Sequence, residues 1–123
     1  MSRRIVQVAI AATDLNASEQ FYVAKLGLTR LFEAPNVVAL EAAGTRVLLT
    51  HQPNFRGTTD AGVAIYFEVE AIEPVFAHIS SETGAGVSPH RVAQLDGTEI
   101  WIAFVEDPSG NKIGLLEHRP AHS

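Results

Sequence analysis

At 123 residues, 46% hydrophobic and 19% charged, the chain has the size of one compact domain with a real core and lacks the composition of a disordered segment. A formal net charge of −5, with nine Lys and Arg scattered along the chain, leaves no basic field to neutralise phosphates, so nucleic acid is not an expected partner. The absence of cysteine excludes disulfides and thiolate metal sites and fits a cytoplasmic location. The opening Met1-Ser2-Arg3-Arg4 lacks the apolar run of a leader or membrane span.

IVQVAIAA, residues 5–12, is apolar and rich in β-branched residues, which predicts a strand buried on both faces. Asn16 followed by Glu19 predicts a capping box for a helix to about Lys25, with Gly27 at its end. Phe21, Tyr22 and Leu26 are spaced to pack on one stripe of that helix. Strands are expected at Thr29 to Glu33, Val37 to Ala42 and Arg46 to Thr50, reversing at Pro35-Asn36 and Ala43-Gly44. HQPNFRGTTDAG, residues 51–62, reads as a loop.

The pattern then repeats. VAIYFEV, 63–69, predicts a strand, and Ile72 to Ser81 a helix with Ile72, Val75, Phe76 and Ile79 on one face, ended by Gly84 and Gly86. Strands follow at Val87 to Ala93, Glu99 to Glu106 and Lys112 to His118, around turns at Asp96-Gly97 and Asp107-Pro108-Ser109-Gly110. The fold class is α+β: two tandem βαβββ modules in a single domain of residues 1–123. Module one covers about 4–51, a linker about 52–62, and module two about 63–119. Neither module is expected to cover its apolar sheet face alone, so the two sheets should bury each other's.

This duplication, opening with Asp14-Leu15, Ser18, Phe21-Tyr22 and Leu26-Gly27-Leu28 and closing with FVEDPSGNKI, resembles the vicinal oxygen chelate superfamily. That group includes glyoxalase I, extradiol dioxygenases, fosfomycin-inactivating transferases and bleomycin-resistance proteins. The resemblance covers essentially the whole chain. In metal-using members it implies a divalent ion held by four His, Gln or Glu side chains, from the first and last strands of each module. Carried over by position, these slots fall on Gln7, Leu48, Ala64 and Gly114.

Only Gln7 has a donor atom. A hard divalent ion needs several oxygen or nitrogen ligands to replace its hydration, and one carboxamide does not supply them. A register shift of two residues brings up Ile5, Ala9, Arg46, Thr50, Gly62, Tyr66, Lys112 and Leu116, none of them His or Glu. No metal and no other cofactor is therefore expected. Gly114 is unusual in mid-strand, where glycine packs nothing unless something approaches closely.

Other residues have both a chemical and a plain reading. His90 is a candidate general base, or a histidine bonded to backbone. Tyr66 shares a face with Ala64 and is a candidate catalytic hydroxyl. His51 and His118 stand at strand ends, His51 at a possible cleft rim, while His78 and His122 read as solvated. Glu68 and Glu99 read as edge-strand solubilising residues that could pair with Arg46 or Arg91. The resemblance implies a register that puts Ile102 and Phe104 on the cleft-facing side with Gly114 and Leu116, which leaves Trp101 to pack under a helix. No phosphate-binding glycine loop and no nucleophile triad is present, so no nucleotide cofactor is implied.

The leading expectation is a metal-independent binder of a small organic molecule, similar to the bleomycin-resistance branch. Its cleft would be lined by Gln7, Leu48, Ala64, Tyr66, Ile102, Phe104, Gly114 and Leu116. The alternative is a superfamily lyase, isomerase or dioxygenase using relocated ligands such as His51 and His90, or a metal-free acid/base site of His90, Tyr66 and Gln7. Sparse charge on the strands predicts a homodimer, and the resemblance implies a cleft shared between chains, with Gln7 and Leu48 of one facing Ala64 and Gly114 of the other, although the loop 51–62 is long enough to pair the modules within one chain as well.

Overall fold

The computed structural model describes residues 2–57, 63–83 and 86–121. The chain runs β1 (Gln7–Ala12), α1 (Leu15–Leu26), β2 (Thr29–Ala34), β3 (Val37–Ala42), β4 (Thr45–His51), β5 (Ile65–Glu68), α2 (Ile72–Thr83), β6 (Val87–Leu95), β7 (Thr98–Glu106) and β8 (Lys112–Pro120). This is βαβββ twice, as the hydrophobic periodicity predicts. Two four-stranded sheets result, ordered β1-β4-β3-β2 and β5-β8-β7-β6. In each, the module's first strand pairs in parallel with its last, and every other pairing is antiparallel.

Two compact units form, Met1–Gly57 with Pro108–Asn111, and Thr58–Asp107 with Lys112–Ser123. In the first, Ile10, Ala12, Val38, Leu40, Val47 and Leu49 are buried together with Phe21, Tyr22 and Leu28. β1 is an edge strand, and its alternate residues Gln7 and Ala9 are exposed, so the expectation of burial on both faces fails. Its apolar appearance comes from alanines, which occupy the open face with little apolar area lost to water.

The start of α1 also differs from expectation. Asp14 is the N-cap, its Oδ1 accepting from the Ala17 N–H at 3.1 Å, while Glu19 pairs with Arg30 at 3.0 Å. Asn16 is thus already inside the helix. Its end is as predicted: Gly27 adopts the left-handed conformation, its N–H donates to the Val23 carbonyl, and the Leu28 N–H donates to the Tyr22 carbonyl.

The DPSGN turn before β8 serves the first unit. Ser109 Oγ accepts from the Thr13 N–H at 2.9 Å and lies 3.3 Å from Ser18 Oγ, while Asn111 Nδ2 donates to the Ala11 carbonyl at 2.8 Å. Ser18, Ser109 and Asn111 are all buried. The opening and closing motifs on which the resemblance rests are therefore one hydrogen-bonded joint, which satisfies polar groups at the end of β1 that burial would otherwise penalise.

In the second unit Ile72 and Ile79 of α2 are buried, as are Ala103, Val105, Ile113 and Leu115 of the sheet. The start of α2 is capped from β8: buried Glu117 accepts from the Ile72 N–H at 2.8 Å. Arg119 holds Glu117 through Nε at 2.9 Å and reaches Glu73 at 2.8 Å. The Arg119 guanidinium keeps the Glu117 carboxyl below the usual carboxylate range, against the opposing effect of burial, and both carboxylates raise the arginine's affinity for its proton. Each sheet thus has one face on its own module's helix, which corrects the expectation that only the opposite sheet could cover it. Predicted features at Gly62, Gly84 and His122 lie outside the described residues.

Candidate functional site

In the first unit, Gln7 sits beside Arg46 and Ala9 beside Leu48, and Arg46 and Leu48 stand opposite Glu41 and Ala39. Because side chains alternate, this register puts Gln7, Arg46, Leu48 and Glu41 on the face away from α1. Arg46 Nη1 donates to Gln7 Oε1 at 3.3 Å, and its guanidinium carbon stands 5.7 Å from the centre of the Phe32 ring. Arg4, Val6, Gln7, Leu31, Glu41, Gly44 and Arg46 line a shallow cavity of about 260 Å³. His51, at the end of β4, is exposed.

Sequence reasoning identified Gln7 and treated Arg46 only as a register neighbour or ion-pair partner. The two-residue turn Ala43-Gly44 does place Arg46 opposite Glu41, a relation legible from the hairpin. The approach of Gln7 needs the parallel β1–β4 pairing, which local pattern does not encode.

In the second unit, Tyr66 stands beside Gly114, Phe104 opposite Gly114, and Ile102 opposite Leu116. These five share the face away from α2. Tyr66 covers Gly114 so closely that a β-carbon at position 114 would run into the Tyr66 ring. No aromatic ring tolerates that approach without moving. Tyr66 packs at a centroid distance of 5.6 Å from Phe104, and the Lys112 ammonium stands 4.2 Å from the centre of Phe104. The small residue at 114 therefore creates no hollow, contrary to the expected concavity; an aromatic side chain, itself 43% exposed, fills the space. Ala64 is exposed and precedes β5, which begins at Ile65 rather than residue 63.

His90 is exposed, with Nδ1 2.9 Å from the Ser88 carbonyl two residues away, the local backbone contact rather than a partner suited to acid/base chemistry. His118 Nδ1 meets Glu68 Oε2 at 2.8 Å. Glu99 is on β7, inside the sheet, and not at an edge as expected. It accepts from Trp101 Nε1 at 2.9 Å and from Arg91 at 3.2 Å. Trp101 lies opposite Glu117 on the α2 side, under the Arg119 guanidinium at 4.2 Å. His78 is on the exposed side of α2.

The four positions onto which the resemblance carries the metal ligands, Gln7, Leu48, Ala64 and Gly114, thus present one carboxamide, one isobutyl group, one methyl group and one glycine under a phenol ring. That donor set does not fit a hard cation. Among the described residues no group of three or more His, Cys, Asp and Glu side chains converges on a metal-sized position, and no helix is long and apolar enough to cross a membrane.

Comparison with known proteins agrees with this architecture. A probable lactoylglutathione lyase of Vibrio cholerae is 25% identical over an alignment 135 positions long, which covers 99% of this chain and 96% of that protein. Among solved structures, a glyoxalase/bleomycin resistance protein/dioxygenase from Alicyclobacillus acidocaldarius superposes with a TM-score of 0.69 at 19% identity, covering 94% of this chain and 91% of the other. A lactoylglutathione lyase from Agrobacterium tumefaciens gives 0.62 at 21%, with 94% of each chain covered. An antibiotic binding protein from a Streptomyces species gives 0.67 at 19%, covering 95% and 97%. The sequence pattern of one family matches residues 4–115, and with the repeated βαβββ order and the two four-stranded sheets it places this chain in the Glyoxalase/Bleomycin resistance protein/Dioxygenase superfamily.

Proposed function

We propose that this protein binds a small organic molecule on the open sheet faces and does so without a divalent ion at the superfamily's ligand positions. The observation that carries the reading is the side-chain chemistry at those positions. Leu48 and Ala64 have no donor atom, and at Gly114 the Tyr66 ring stands where a metal-binding side chain would begin. What remains suits organic ligands: exposed Tyr66 and partly exposed Phe104, Ile102 and Leu116 in one unit, and Gln7 and Arg46 in the other. A relative of the same fold is named an antibiotic binding protein, which is compatible with this use of the scaffold.

Homodimerisation is part of the proposal, since large apolar side chains on an open sheet usually mark an interface or a ligand surface. Light scattering at micromolar concentration should give twice the monomer mass.

Elemental analysis of the purified protein should find far less than one Ni, Zn, Fe or Mn per chain, and adding these ions should not raise Tm, because a ligand of the native state must stabilise it. A screen of aromatic and carboxylated organic compounds should contain stabilising ligands. Stoichiometric metal overturns the reading. A second reading, lactoylglutathione lyase activity, is favoured by the Vibrio cholerae relative's name. Turnover in that assay with added Ni²⁺ or Zn²⁺ would establish it in place of the first.

A further inference from the structure

We infer that the cavity bounded by Arg4, Gln7, Glu41 and Arg46 is a subsite for the carboxylate of a compact monoanionic or zwitterionic ligand that carries a hydrogen-bond donor next to that carboxylate. The inference rests on the proposed function and names the ligand chemistry at one end of the Gln7 face. Three features lead to it. The first is charge: two guanidinium groups and one carboxylate line the cavity, a local excess of positive charge on a chain whose formal net charge is −5.

The second is availability. Among the described residues, neither Arg4 nor Glu41 forms an ion pair, although Arg30, Arg91 and Arg119 each do. Arg46 spends one Nη1 bond on Gln7 and is oriented by Phe32, so the rest of its planar donor fork stays available. A guanidinium recognises a carboxylate through such parallel N–H donors. The third is size and wall chemistry. A volume of about 260 Å³ is below the usual range for whole drug-sized ligands and suits a small acid or the charged end of a larger one. Val6 and Leu31 supply apolar walls. Glu41 repels a second anionic group and accepts from a neighbouring hydroxyl or ammonium, so it selects against dianions.

Titration of the ¹⁵N-labelled full chain with L-lactate, L-alanine, lactamide and succinate, followed by amide NMR, tests this. L-lactate and L-alanine should cause saturable shifts centred on Gln7, Glu41 and Arg46. Lactamide, which lacks the carboxylate, and succinate, which lacks the neighbouring donor and adds a second carboxylate, should bind at least about tenfold more weakly. Arg4→Gln and Arg46→Gln should each weaken lactate about fivefold or more, and Glu41→Gln should bring succinate close to lactate. All three positions are exposed, and an unchanged Tm shows that the variants fold. Lactamide equal to lactate, Arg variants without effect, or shifts confined to other residues overturn the subsite. So does the absence of saturable binding up to about 50 mM. Metal content separates the two ideas: stoichiometric metal removes the proposed function whatever lactate does, and a metal-free protein that ignores lactate loses only the subsite.

Discussion

The two modules share element order, strand order and the parallel pairing of first and last strands, yet they secure their helices differently. α1 is capped by its immediate predecessor, Asp14, a contact three residues in span and exposed to water. α2 is capped by Glu117, 45 residues away, through a buried bond backed by Arg119. The open faces diverge in the same way: the first carries Gln7, Arg46 and Glu41, and the second carries Tyr66 over Gly114 beside Phe104. A duplicated backbone thus constrains where chain segments run and leaves each module free to solve its polar accounting and its surface chemistry separately.

The sharpest way to break the comparison is at Glu117. Glu117→Ala removes the α2 cap and leaves Arg119 without its buried partner, so chemical denaturation should show a loss of about 3 kcal/mol. The acid limb of the stability curve checks the same contact. A carboxylate whose folded pKa lies below its unfolded value stabilises the protein above the unfolded pKa, and that contribution is lost as pH falls through the folded one. Stability of the wild type should therefore decline more steeply than that of Glu117→Gln as pH falls below the ordinary carboxylate range.

Gly114 and Tyr66 give an intermediate effect. Gly114→Ala forces the Tyr66 ring off its seat and should destabilise by about 1.5 kcal/mol, whereas Tyr66→Ala alone should cost about 1 kcal/mol. In the double variant the two losses should not add, because the alanine no longer meets a ring. Additive losses would show that the ring already stands clear of residue 114.

The smallest effect belongs to the first module. Asp14→Ala should lower stability by about 1 kcal/mol and Asn16→Ala by less than about 0.5 kcal/mol, as measured by urea midpoints at constant m. Equal losses would return the N-cap to Asn16 and erase the distinction between a locally capped and a remotely capped helix.

What the sequence determines by itself follows from short-range chemistry. Alternation of apolar residues places the strands, Gly27 ends α1, Ala43-Gly44 and Asp96-Gly97 supply the positive φ of the hairpin turns, and the side chains at Leu48, Ala64 and Gly114 contain no metal donor. Each of these is a property of a residue or of neighbours a few positions apart. Where local signals competed, as with Asp14 and Asn16 at the start of α1, sequence pattern chose the wrong cap because both residues cap well.

The tertiary structure decides whatever depends on parallel pairing and crossovers. Tyr66 reaches Gly114 because β5 runs beside β8, Gln7 reaches Arg46 because β1 runs beside β4, and Glu117 reaches the α2 N-terminus because β8 passes beneath it. Ser109 and Asn111 look like turn residues until the chain returns them to Thr13, Ser18 and Ala11. These contacts join residues 39 to 100 positions apart. Their loop-closure entropy is offset only by the whole packed sheet, so no local stretch of sequence carries the information that specifies them.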